Sequence, residues 1–77
     1  MTFHWTTHAL QRLAQRRLTK DVVENTIKYP TEKRRQRKGI HGGYVERFEK
    51  TIGLQKCVVV AEVKQCDIWV TTCFWTL

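Results

Sequence analysis

Residues 57–75 read CVVVAEVKQCDIWVTTCFW. Cys57–Val63 is dominated by β-branched side chains, which suit a strand buried on both faces. Lys64–Asp67 is short and polar and predicts a tight connection. Ile68–Trp75 alternates Ile68, Val70, Thr72 and Phe74 against Trp69, Thr71, Cys73 and Trp75, the period of a second strand. Two such runs joined by four residues form an antiparallel pair. Upstream, Tyr44–Lys50 sets Tyr44 and Phe48 on one face of another strand, and Gly53 in Thr51–Leu54 marks the turn that follows.

The N-terminal half has a different period. Thr6 or Thr7 is placed to cap a helix over residues 8–17, with Ala9, Leu10, Leu13, Ala14 and Leu18 on one side. Thr19 caps a second helix over about 20–28 that buries Val22, Val23 and Ile27. Tyr29-Pro30 ends it, because a residue before proline is pushed out of the helical region. Thr2–Thr7, with Phe3 and Trp5 alternating against His4, reads as an extended lead-in or a short strand. The expected fold is therefore α+β, with two N-terminal helices packed on a three- to four-stranded antiparallel sheet, in a single domain spanning 1–77.

A chain of 77 residues buries only a modest share of its surface, and 42% hydrophobic residues suffice for one two-layer core. It has no apolar run long enough to cross a membrane, and MTFHWTT lacks the basic and apolar regions of a signal peptide. Cys57, Cys66 and Cys73 are odd in number and lack zinc spacing, so they read as reduced cysteines of a cytoplasmic protein. No metal and no cofactor are expected, since His4, His8 and His41 are scattered and no carboxylate is placed to help. Fourteen Lys and Arg against seven acids give a net charge of +7. The excess is +3 over residues 1–30 (five basic, two acidic) and +4 over 31–77 (nine basic, five acidic). A folded basic domain points to RNA or DNA, or to an acidic protein partner.

Two stretches carry that charge in patterned form. His8, Arg12 and Arg16 recur every four residues along the edge of the first helix. Like charges at this spacing repel slightly unless an anion visits, so an exposed helix face and a phosphate site are the competing readings. At the helix N-terminus the imidazolium of His8 is disfavoured, and a neutral imidazole suits a general base. Arg12 and Arg16 suit a bidentate phosphate clamp. Lys33, Arg34, Arg35, Arg37 and Lys38 come from KRRQRK, which reads as a solvated edge strand, a phosphate-binding strand, or both. Alternation assigns Lys33, Arg35 and Arg37 to one face and Arg34 and Lys38 to the other. Gly39–Gly43 is a loop, and His41 an ordinary loop residue. Tyr44, Trp69 and Trp75 suit either the sheet and core or base stacking. Either Thr71 or Thr72 must face away from the core, where its hydroxyl suits a phosphate.

HALQRLAQRRLTKDVVENTIKYP resembles a small prokaryotic and phage family, the domain of unknown function 4258. The likeness rests on His8, Ala9, Arg12, Arg16, Thr19, Val22, Val23, Ile27 and Pro30, and the ending VVVAEVKQCDIWVTTCFW is similar to that family's last two strands. The family's usual glycine after the second Arg is here Arg17. The resemblance implies a fold like the RelE/ParE and barnase–colicin toxins, often metal-independent ribonucleases in which a ribose 2′-OH attacks the adjacent phosphate. It implies His8 as base or acid, Arg12 and Arg16 as clamp, and a Thr of the last strand, Thr71 or Thr72, with Thr71 as the catalytic candidate. Lys33, Arg34, Arg35, Arg37, Lys38 and Tyr44 are then the RNA-binding candidates. The expectation is a toxin-like endoribonuclease held in check by an acidic antitoxin-like protein. The alternatives are a non-catalytic nucleic-acid-binding module and a basic inhibitor of an acidic protein.

Overall fold

The computed structural model describes residues 1–77. The elements run β1 (Thr2–Trp5), α1 (Thr7–Arg16), α2 (Lys20–Lys28), β2 (Glu32–Lys38), β3 (Tyr44–Ile52), β4 (Gln55–Lys64) and β5 (Asp67–Thr76). The sheet has five strands in the order β1-β5-β4-β3-β2. β2 through β5 form an antiparallel meander, while β1 pairs parallel to β5, with Thr2 opposite Asp67 and Trp5 opposite Val70. The expected three- to four-stranded antiparallel sheet is thus replaced by a five-stranded mixed one. Two segments account for the difference. Thr2–Trp5, read as a lead-in or a short strand, is a strand whose partner comes from the far end of the chain. Glu32–Lys38, read as an edge strand over its basic run, is the outermost strand, paired with β3 although it has no apolar residue.

Both helices lie on one face of the sheet. Ala9, Leu18, Val23 and Ile27 pack there against Phe48, Cys57, Val59, Ala61, Ile68, Val70 and Cys73. Burial of these apolar groups supplies the main stabilising term. No element covers the other face, which carries Val45, Arg47, Val58, Glu62, Trp69 and Phe74. Leu10 and Ala14, expected in the buried stripe of α1, are exposed, and Leu10 is 42% accessible. Only one narrow side of α1, centred on Ala9, meets β5.

The caps follow the sequence. The Thr6 hydroxyl accepts from the Ala9 amide at 3.1 Å and donates to the Val70 carbonyl at 2.9 Å, so it starts α1 and ties it to β5. The Thr19 hydroxyl accepts from the Val22 amide at 3.2 Å. α1 ends at Arg17, which has φ 54° and donates its amide to the Leu13 carbonyl. That left-handed conformation favours glycine and disfavours any side chain. Arg17→Gly is expected to stabilise the fold by about 0.5–1 kcal/mol, seen as a rise in Tm of roughly 2–8 °C in thermal denaturation.

Two β-bulges change which side chains share a face. The β2–β3 register shifts between Arg35 and Arg37, so Lys33 and Arg35 share the helix side with Phe48 and Glu46, whereas Arg37 sits opposite Val45 on the open side. Lys38, opposite Tyr44, returns to the helix side. The second bulge lies where Val70 pairs with Ala61 but Thr72 pairs with Val60, leaving Thr71 without an opposite residue. The simple alternation expected for both strands fails at these points, because one extra residue reverses the parity beyond it.

Candidate nucleic-acid interface

The α1 stripe lies along β5. Arg12 is half-buried; its Nε donates to His8 Nε2 at 3.3 Å, and its Nη1 donates to Gln15 Oε1 at 2.6 Å. His8 Nε2 accepts in that contact, and Nδ1 has no protein partner. Neither Arg12 nor Arg16 forms an ion pair with an acidic side chain. Both guanidiniums act on buried Cys73. Its thiol is pushed up to about 11, chiefly by burial and further by neighbouring Cys57, and the two arginines oppose that rise. Burial likewise raises the Cys57 thiol, against a hydrogen bond from Thr26. Both thiols are held in the neutral, unreactive form, while the stripe presents uncompensated positive charge beside β5.

The second cluster is β2, every residue of which is exposed. As the outermost strand it presents cations on both faces of the sheet: Lys33, Arg35 and Lys38 with the helices, Arg34 and Arg37 on the open face. Among the five, only Lys33 approaches a carboxylate, that of Glu46, at 3.9 Å. The Arg35 guanidinium lies 4.1 Å from the centre of the Tyr44 ring. Tyr44 therefore orients Arg35 by a cation–π contact, and that face of its ring is occupied.

These clusters occupy opposite ends of the sheet. From β5 to β2 is three inter-strand steps, about 14 Å. Thr71 joins the β2 cluster: it lines an open-face groove of about 170 Å³ together with Arg37, Lys38, Ile40, Val45 and Glu62. His8, Arg12 and Arg16 line none of the cavities. No three His, Cys, Asp or Glu side chains gather closely enough to hold a metal ion.

Glu62 escaped the sequence reading, and so did the contacts that join His41, Trp69 and His4. Glu62, mid-strand in β4, is buried; its carboxylate accepts from the His41 amide at 2.8 and 3.1 Å and from the Gly43 amide at 2.8 Å. This anion, satisfied by backbone donors, holds the Gly39–Gly43 loop against the sheet. Held so, His41 stacks its ring on Trp69 with centroids 4.1 Å apart and planes at 8°. His4, from β1 on the other flank of β5, stacks on the same indole at 5.0 Å and 17°, with its Nε2 3.0 Å from Asp67 Oδ1. An acid inside an apolar strand, Glu62 in CVVVAEV, is the one local signal that would have drawn notice to this loop.

The family described as Domain of unknown function (DUF4258) matches residues 5–75, nearly the whole chain. No curated protein and no solved structure matches. No helix is long and apolar enough to cross a membrane.

Proposed function

We propose that this protein, which belongs to the DUF4258 family, binds single-stranded RNA and cleaves it without a metal, as a cytoplasmic toxin of the RelE/ParE and barnase–colicin type. The observation that carries the reading is the set of unpaired cations at patterned positions: Arg12 and Arg16 on α1, and Arg34, Arg35 and Arg37 on exposed β2, none with an acidic partner. Holding so many like charges on a small domain is unfavourable alone and becomes favourable when phosphates neutralise them. The net charge of +7 also suits an acidic antitoxin-like partner.

In this reading a phosphate takes the Arg12 guanidinium and frees His8 Nε2. That nitrogen accepts the ribose 2′-OH proton as O2′ bonds to phosphorus. The P–O5′ bond breaks, solvent water protonates O5′, His8 later returns its proton to solvent, and Arg16 with Arg12 balances the charge on the phosphoryl oxygens. Thr71, across the sheet in the groove with Arg37, meets a flanking phosphate.

One observation favours a second reading, a non-catalytic RNA-binding module: the lone pair a base would use is engaged by Arg12 Nε at 3.3 Å. Incubation with single-stranded RNA in EDTA separates the two. The ribonuclease reading expects cleavage by the wild type and a loss of about 100-fold or more in His8→Ala. Absent cleavage, or equal cleavage by both, removes catalysis. Binding unchanged in His8→Ala then leaves the module, and no RNA binding at low salt removes both.

A further inference from the structure

The ring stack on the open face has a role beyond holding the loop. The Gly39–Gly43 loop is fixed by two backbone amides on the Glu62 carboxylate. No side chain of the loop takes part in that anchorage, so the His41 ring is not required to keep the loop in place. His41 nevertheless lies nearly parallel to Trp69, and its residue is exposed. The indole has His41 on one flank and His4 on the other, so neither face of Trp69 is open to a ligand. What remains open is the outer face of an imidazole at each end of the stack.

The two ends differ electrostatically. At the His4 end the Asp67 carboxylate sits 3.0 Å from Nε2, a charge that repels a phosphodiester backbone. At the His41 end the loop leads directly from Arg37 and Lys38. Arg37, on the open side, lines the groove there with Thr71, a hydroxyl able to donate to phosphate. Ile40, beside His41, is 95% exposed and offers an apolar edge to a flat ring.

We propose that the outer face of His41 is a stacking platform for one unpaired nucleobase of a single-stranded RNA, with the adjoining phosphate held by Arg37 and Thr71. The proposal deepens the RNA-binding reading and rests on it. A base added to His41 extends a stack already three rings long, and unpaired bases bind proteins largely by stacking on aromatic or imidazole planes. Trp69 acts as a positioning residue: it sets the plane of His41 and does not touch the base. Because stacking needs only a π-face, the site tolerates any base and favours purines for their area.

The test compares oligoadenylate with an abasic ribose-phosphate strand of equal length, both fluorescently labelled, by anisotropy at one salt concentration. Wild type, His41→Ala and His41→Phe are titrated. Wild type is expected to prefer the base-bearing strand by about tenfold, the loss typical of removing one stacked base. His41→Ala should erase that preference while its affinity for the abasic strand and its salt dependence stay as in wild type. His41→Phe, which restores a flat ring, should restore the preference. A structural role for His41 would instead weaken both strands alike. Equal binding of both strands by wild type, preference retained in His41→Ala, or no rescue by His41→Phe overturns the stacking platform. Failure to bind either strand overturns the RNA-binding reading as well, so the two failures are distinguishable.

Discussion

Gly43→Ala is expected to be strongly destabilising. A Cβ at Gly43 would lie 2.3 Å from the Val63 carbonyl oxygen and 2.8 Å from its carbon. Those are backbone atoms of β4, so no rotamer change relieves the contact; β3 and β4 must separate where they meet. The Gly43 amide also donates to Glu62 at 2.8 Å, and separation would leave that buried carboxylate short of a donor. A cost of about 3 kcal/mol follows, which for a domain of this size lowers Tm by roughly 12–24 °C. Gly53→Ala is the internal comparison. Gly53 has φ +63° but nothing within 4 Å of its would-be Cβ. Only the left-handed backbone is then strained, for about 1 kcal/mol and roughly 4–8 °C. Thermal denaturation followed by circular dichroism checks both; equal shifts would refute the steric account of Gly43.

The second large effect concerns affinity. Arg34 and Arg35 are neighbours on β2 that point to opposite faces of the sheet, and both are exposed. Arg34→Ala with Arg35→Ala should leave Tm nearly unchanged, because neither side chain is in the core or in an ion pair. RNA binding should respond strongly. Each phosphate contact on a single strand contributes about 0.7 to the slope of log K against log salt, so the slope should fall by about 1.4 and affinity by roughly 25-fold at about 0.1 M salt. An unchanged slope would mean that β2 does not meet phosphate and that its cations serve only to keep the sheet edge from pairing with other chains.

Local signals made the helices and three strands legible. Thr6 and Thr19 cap where cap residues were recognised, Pro30 follows the end of α2, and Cys57 to Val63 forms the buried middle of β4. What was illegible depended on distant partners. The strand character of Thr2–Trp5 and of the basic run was among the sequence readings, but not that β1 joins the sheet parallel to Asp67–Val70 as a fifth strand. The bulges at Gln36 and Thr71 add a residue without changing composition, and so reversed the faces of Arg37, Thr72 and Phe74 unannounced. For the candidate site, spacing along α1 sufficed to group His8, Arg12 and Arg16, since helical neighbours are local. It could not reveal that Thr71 sits with Arg37 or that His4, Trp69 and His41 form one stack, because those contacts cross three elements. Arg17, in place of the usual glycine, fits the same pattern: the sequence marked the departure, and the left-handed backbone there supplies its physical meaning.

The parallel pairing of β1 with β5 also bears on when the protein acquires its interface during synthesis. α1 takes its apolar support from β5, and β1 takes its hydrogen bonds from residues Asp67–Val70. Residues 2–17 are synthesised before β5 and must wait for some fifty more residues, roughly 3–10 s at ordinary translation speed. Through that interval a ten-residue helix without its packing surface is marginal. Arg12 and Arg16 thus acquire a fixed orientation only after β5 has cleared the exit tunnel. A basic chain is thereby kept without a fixed pair of helical arginines until β5 is there to support them.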